Sequence, residues 1–200
     1  MKKTALLAAL LGAATLTTPA FAQTASEGGF MGLSVMSSNS DLANDYSASI
    51  AGDADSKSTG FKIFGGYMWG NWGVELGLYQ LGKWEARNSA GGQAAQFESQ
   101  AVSLAGVYMA PFATNGVLHL KAGGAQISTE FNCTAPCVGG STSEKTSTVF
   151  LAGVGVGWRL SPGVMLRADF DRFSSVKFST GSAEGTSPIE VVSAGVHFTF

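Results

Sequence analysis

The 200-residue chain has little charge, few cysteines and few histidines. Only 13% of its residues are charged, it contains two cysteines and two histidines, and 14 acidic residues outnumber 12 basic ones. The acidic balance argues against a nucleic-acid partner. Two cysteines are too few for a disulfide-rich scaffold. The 27 glycines are far too many for a helical protein.

Beyond residue 22, no apolar run reaches the roughly 18 residues that suggest a membrane-spanning helix. Residues 1–22 have the pattern of a secretory signal peptide, with Lys2 and Lys3 before an apolar core and a small-x-small motif at 20–22. The apolar core is too short to span a membrane, so cleavage before Gln23 is expected, leaving residues 23–200 as one domain. Two architectures remain: a soluble exported β-protein, or a β-barrel in an outer membrane.

Eight segments with a period of two predict eight β-strands. They lie near residues 29–38, 58–69, 72–82, 97–109, 116–128, 146–159, 164–175 and 188–200. The connections between them alternate in length. Short turns fall at 70–71, 111–115 and 161–163, and long connections at 39–57, 83–96, 129–145 and 176–187. This alternation is typical of an antiparallel up-and-down barrel with both termini at the short-turn end.

The direction of the alternation favours a membrane barrel. In the segment 164–175, Leu166 and Phe170 share one face, whereas Arg167 and Asp169 share the other. A charged and glycine-rich face cannot be a conventional core, so the apolar face is expected to contact lipid and the other face to line the lumen. The sequence therefore predicts an all-β fold, an eight-stranded transmembrane β-barrel. Aromatic residues near the short turns predict a girdle at one membrane interface: Trp69, Trp72, Tyr108, Trp158, Phe198 and Phe200.

Several motifs resemble those of the OmpA-like and OmpX-like small outer-membrane barrels. FGGY at 64–67 with NWGVELG at 71–77 resembles their second hairpin, and GVGWRLSPGV at 155–164 followed by LRADF at 166–170 also resembles these barrels. The closing strand, with Phe198 and the terminal Phe200, resembles the signal read by the outer-membrane assembly machinery. The resemblance covers essentially the whole mature chain. It implies a protein of a Gram-negative outer membrane, in contact with outer-membrane lipid and lipopolysaccharide.

Among the charged side chains on the predicted lumen face, four are expected to form an interior network: Glu75, Lys121, Arg167 and Asp169. A lone buried charge is expensive, so Glu75 is expected to pair with Arg167, and the other two to join a network. In the resembled barrels, the matching positions form an interior ion-pair network that plugs or gates the lumen. A second pair of that network is not matched, because Val107 and Gly157 occupy its positions. A looser plug is therefore expected.

Cys133 and Cys137 lie in the third long connection, and an oxidising compartment is expected to join them in a disulfide. Such a bridge would constrain only a local loop. No further His or Cys lies nearby to complete a metal site. The acidic run at residues 53–55 lacks the ligand spacing of a calcium loop. No metal or other cofactor is therefore expected.

His119 and His197 are the only histidines, and both fall near the short-turn ends of their strands. Barrel-type outer-membrane proteases and acyltransferases place catalytic groups toward the long-loop end, so no enzymatic activity is expected.

The sequence thus indicates a structural or surface-interaction scaffold that displays four extracellular loops, whose partner on a host cell or a phage has no recognisable motif. Two alternatives stay open: a narrow pore gated by the interior Glu/Arg network, and a soluble exported barrel that binds an apolar ligand.

Overall fold

A computed structural model describes residues 27–40, 53–54, 57–87, 93–133, 142–179 and 184–200. The expected signal peptide, Cys137 and the central part of each long connection lie outside these residues. The strands are β1 (Gly28–Ser40), β2 (Asp53–Ala54), β3 (Lys57–Trp69), β4 (Trp72–Arg87), β5 (Gln93–Pro111), β6 (Gly116–Cys133), β7 (Thr142–Ser161), β8 (Val164–Ser179) and β9 (Glu184–Thr199).

The eight long strands form a closed antiparallel ring in chain order, while the two-residue strand β2 pairs only with the end of β4. The ring closes where β1 pairs with β9, from Phe30 opposite Thr199 to Ser40 opposite Ile189. One residue further on, the Phe200 N–H donates a hydrogen bond to the Gly29 carbonyl at 2.9 Å. The predicted eight-stranded up-and-down barrel is confirmed. Among the described residues, no helix is long and apolar enough to cross a membrane.

The outward residues of the barrel wall change from apolar to polar partway along the strands. On β7, Trp158, Val154 and Phe150 are exposed near the short-turn end, whereas Thr148 and Glu144 are exposed further up. From Trp158 to Phe150 the strand climbs roughly 20 Å along the barrel axis at a tilt of about 40°. That height approaches the apolar band of about 25 Å typical of outer-membrane barrels.

Polar residues encircle the barrel where the apolar band ends. Gln80 faces Gln100 across β4 and β5, and Arg172 faces Glu190 across β8 and β9. Above this ring, the outward residues are polar, whereas the inward residues are apolar or small hydroxyl-bearing side chains, an arrangement close to that of a water-soluble barrel. We call this part of the wall the outer extension. It consists of the strand residues beyond the ring, and it lies mostly in stretches that the sequence predicts as long connections.

Bulges in β4 and β8 shift the alternation by one residue at the level of the ring. The register slips between Gln80 and Gly82 in β4 and between Phe173 and Val176 in β8. A bulge adds one unpaired residue or more, so the residues that follow exchange faces. In β4 this exchange turns Trp84 into the lumen. The bulge is held by a hydrogen bond of 2.6 Å from Ser38 Oγ to the Leu81 carbonyl.

Gly82 is required by the β4 bulge, and Gly82→Val is expected to lower the free energy of unfolding by about 2 kcal/mol or more. Its φ is +91°, and a Cβ there would lie 2.6 Å from the Thr59 carbonyl oxygen. Urea unfolding of the refolded barrel measures the change. Gly106→Val is the matched control, because Gly106 faces outward and a Cβ there has only the Ala122 carbonyl oxygen, at 3.8 Å, within reach. Equal losses in the two variants would count against this role of the bulge.

Candidate functional site: the lumen

The lumen-facing side chains form three layers along the barrel axis. A lower apolar layer near the short turns contains Phe30, Phe64 and Met68, with Met109 packed against them. A charged layer lies above it. An upper apolar layer fills the part nearest the long connections. Each layer arises from inward positions on several strands, so neighbours in space are distant in sequence.

The charged layer balances three cations against three anions, all at most 6% exposed. Its members are Lys62, Glu75, Lys121, Arg167, Asp169 and Asp171. Inward-facing glycines provide space for these long side chains: Gly153 lies opposite both Lys121 on β6 and Asp171 on β8. Because an unpaired buried charge is strongly destabilising, the balance is what makes this layer tolerable.

Arg167 and Glu75 are the closest pair in the charged layer, with Arg167 Nη1 2.7 Å from Glu75 Oε2. Arg167 Nε also donates a hydrogen bond of 2.9 Å to Asp169. Lys121 Nζ lies 3.3 Å from Glu75 and 2.8 Å from Asp171. Glu75 thus contacts both Arg167 and Lys121. Arg167 in turn contacts Asp169, and Lys121 contacts Asp171.

Lys62 and Tyr79 complete the layer. Lys62 Nζ lies 3.4 Å from Glu75 and 3.5 Å from Asp171. The Tyr79 hydroxyl donates a hydrogen bond of 3.1 Å to Asp171 and accepts one of 3.4 Å from Lys121. Every cation therefore contacts at least two anions, and the ion pairs form one connected network.

The structure brings together all four residues of the predicted network, Glu75, Lys121, Arg167 and Asp169. The predicted network lacks Lys62, Tyr79 and Asp171. Parity places all three on the lumen face, but it does not show that they contact the other charges. Val107 and Gly157 contribute no charge, as expected. Lys62 and Asp171 instead add a cation and an anion to the layer.

Aromatic rings connect the charged layer to the lower apolar layer. The Arg167 guanidinium carbon lies 4.7 Å from the centre of the Phe64 ring, and Lys62 Nζ lies 4.8 Å from it. Such cation–π contacts strengthen when they are buried. His197 stacks on Phe30 at 4.8 Å, and His119 Nδ1 lies 3.9 Å from Asp169. Both histidines thus face the lumen below or beside the network.

The upper apolar layer packs like the core of a soluble protein. Trp84, Phe97 and Phe173 are completely buried. The Phe97 and Phe131 rings pack 5.0 Å apart, and Tyr79 meets Phe173 edge-to-face at 5.2 Å. The remaining members of this cluster are Met36, Leu81, Ala101, Ala105, Ala125, Ile127, Val149, Leu151, Val176, Ile189 and Val191. This layer fills the lumen of the outer extension and the adjoining part of the membrane barrel, and the period-two pattern of the sequence does not predict it.

The aromatic residues near the short turns face outward. Trp69, Trp72 and Trp158 are each more than half exposed, and the Trp72 and Tyr108 rings pack 4.6 Å apart. Phe198 and Phe200 also point away from the lumen. This arrangement fits an aromatic girdle at the membrane interface.

Cys133 is the last residue of β6. Its side chain and Cys137 lie outside what the structure describes, so the disulfide stays a prediction. Within the described part of the chain, no three His, Cys, Asp or Glu residues are placed to hold a metal ion.

Solved outer-membrane barrels share this fold. Neisserial surface protein A superposes with a TM-score of 0.60 at 16% identity, over 86% of this chain and 97% of that protein. Ail, the attachment invasion locus protein of Yersinia pestis, gives 0.55 at 15% identity, over 88% and 100%. OprG from Pseudomonas aeruginosa gives 0.52 at 14% identity, over 86% and 96%. No curated protein matches the chain at significant sequence similarity.

The amino-acid sequence itself identifies the family. Residues 6–200 match the model of the outer membrane protein beta-barrel domain, which confirms the resemblance and the outer-membrane location expected from the sequence. The chain belongs to the family of outer membrane protein β-barrel domains.

Proposed function

We propose that this outer-membrane barrel is a scaffold with a closed lumen, which displays its four long connections at the cell surface for contact with other molecules. The observation that carries the proposal is the layered lumen. A balanced charged layer between two apolar layers leaves the described inward side chains almost fully buried. The closed ring of strands satisfies the backbone hydrogen bonds in lipid, and the filled lumen makes this ring a rigid frame for the loops.

The outer extension supports the same function. Its apolar core includes Trp84, Phe97 and Phe131, so the wall above the polar ring is held by packing that does not need the membrane. The segments that join the strands therefore start from the rim of this extension rather than from the membrane surface. Binding residues commonly lie on loops that a rigid scaffold positions. Ail, a similar barrel, has been crystallised in complex with a heparin analogue. We propose that the loops of this protein likewise contact a ligand on a host cell or a phage.

A deletion strain tests the scaffold function. It is complemented with the wild-type protein or with four variants, each with one long connection replaced by a short Gly-Ser linker. Envelope permeability to a dye and adhesion to cultured epithelial cells are measured. We expect every variant to restore the permeability barrier, and at least one to fail in adhesion. A deletion that changes neither property, or four variants that all adhere like wild type, would contradict the proposal.

The second candidate is a narrow pore gated by the Glu75–Arg167 contact. The charged layer favours it, because a connected network can rearrange without leaving a charge unpaired. Both apolar layers would also have to open for ions to pass. Swelling of liposomes that contain the refolded barrel measures solute entry. Swelling with small sugars, absent from protein-free liposomes, would favour the pore over the scaffold.

Phe200 is proposed to act in assembly, together with Phe198. Its outward ring is 76% exposed, and its backbone N–H completes the seam between β9 and β1. We expect Phe200→Asp to reduce the amount of protein in the outer membrane several-fold, because chains that assemble poorly are degraded. Quantitative immunoblotting of membrane fractions measures this amount. Phe200→Trp is the control that keeps an aromatic end, and wild-type levels of Phe200→Asp would sink the assembly role.

A further inference from the structure

An apolar hollow of about 580 Å³ lies on the outer surface of β7, β8, β9 and β1. Its floor is formed by two small outward residues, Ala168 and Ala194, which are cross-strand partners. Val156 faces Ala168 from β7, and Val35 faces Ala194 from β1. Two alanines between two valines therefore make a recess in an otherwise bulky surface.

Larger side chains border this recess above and below. Leu166 and Val196 are partners on the short-turn side, and Phe170 and Val192 are partners on the other side. The hollow extends toward the short turns, where Trp158 and Phe112 line it. Trp158 belongs to the aromatic girdle, so the hollow spans the depth from that membrane interface to the middle of the apolar band. Along the membrane normal, the hollow therefore lies within the leaflet on the short-turn side.

We propose that this hollow binds one acyl chain of a phospholipid from that leaflet. The protein resides in the outer membrane, so hydrocarbon chains surround this surface continuously. An unfilled recess forfeits van der Waals contacts of the side chains around it. A flexible chain of methylene groups can enter a depression with bulky rims. The convex wall of a second barrel meets the rims first and leaves the alanine floor uncovered.

The test counts phospholipids retained by the purified barrel. The full chain is refolded into vesicles of phosphatidylethanolamine and phosphatidylglycerol, extracted into a mild detergent and weighed by native mass spectrometry. We expect wild type to retain one phospholipid, and Ala168→Phe or Ala194→Phe to lose it. The matched control is Ala122→Phe, since Ala122 also faces lipid, on β6, but does not line the hollow. This control should retain the lipid.

Folding is checked by the change in gel migration on boiling. If the phenylalanine variants do not fold, Ala168→Leu fills the recess with a smaller side chain and carries the same expectation. The proposal is overturned if wild type retains no phospholipid or if the folded Ala168 variant retains as much as wild type. A lipid-free dimer that the Ala168 substitution dissociates would also overturn it, since a second copy would then be the occupant.

Discussion

Glu75→Ala is expected to lower the free energy of unfolding by about 3–5 kcal/mol, the cost typical of breaking a buried ion pair by removing one partner. Glu75 contacts Arg167 at 2.7 Å, Lys121 at 3.3 Å and Lys62 at 3.4 Å. Without it, three buried cations face two anions, and Arg167 loses its shortest contact. Urea unfolding of the barrel in lipid vesicles, followed by tryptophan fluorescence, measures the loss.

Two further variants separate charge balance from packing. Glu144→Ala removes an exposed carboxylate on the outer extension and should change stability by about 0.5 kcal/mol or less. Lys62→Met combined with Glu75→Gln removes one cation and one anion, so the layer stays balanced. We expect this double variant to be more stable than Glu75→Gln alone by about 1 kcal/mol or more. A double variant less stable than that single variant would contradict the importance of balance.

Trp84→Ala is expected to lower the free energy of unfolding by about 3–5 kcal/mol, because it leaves a large cavity in the upper apolar layer. Trp84 is completely buried and packs in the same cluster as Phe97 and Phe131. The damage should be greatest in the outer extension. Urea unfolding gives the total loss, and hydrogen exchange gives its place: amides of β5 and β6 above the polar ring should exchange faster, while those in the membrane band stay protected.

Trp72→Ala is the matched control for Trp84. Trp72 is 66% exposed in the lipid-facing girdle, so lipid takes the place of its ring and no internal cavity forms. We expect it to cost less than half as much as Trp84→Ala. Equal losses, or exchange that rises evenly over the whole barrel, would show that the outer extension has no separate core.

The sequence predicted the barrel because the membrane imposes a simple rule on its residues. Between the short turns and the polar ring, outward residues such as Leu166 and Phe170 must be apolar, so their alternation with Arg167 and Asp169 is readable without a structure. The predicted strands ended where this rule ends. Two of those ends, at residues 82 and 175, coincide with the bulges, because a bulge breaks the period of two.

The outer extension could not be recognised in the same way. Above the ring, the environment changes on both faces of the barrel wall. Water replaces lipid on the outer face, and apolar packing replaces the charged layer on the inner face. Strand β6 shows the change. Lower down, the inward Lys121 is charged and the outward Leu120 is apolar, whereas above the ring the inward Ile127 and Phe131 are apolar and the outward Glu130 is charged. The serines and threonines in these stretches resemble loop composition, so the sequence predicts shorter strands and longer connections than the structure has.

The interior network can be predicted from the sequence only in part, because parity shows which face of the wall a side chain is on. Parity placed Glu75, Lys121, Arg167 and Asp169 in the lumen, but it does not give the height of each residue across strands. Register supplies that height: Gly153 lies between Lys121 and Asp171, which brings those two charges to one level. Parity alone therefore does not show that Asp171 and Lys62 belong to the same layer.

Conductance in planar lipid bilayers tests the closed lumen most directly. The refolded wild-type barrel and Glu75→Ala are inserted at equal amounts, and insertion is verified by heat-dependent gel migration of the recovered protein. Because the two apolar layers remain in both proteins, we expect no steady conductance from either. A steady conductance of the wild type that changes in Glu75→Ala would contradict the closed scaffold and establish an ion path through the charged layer.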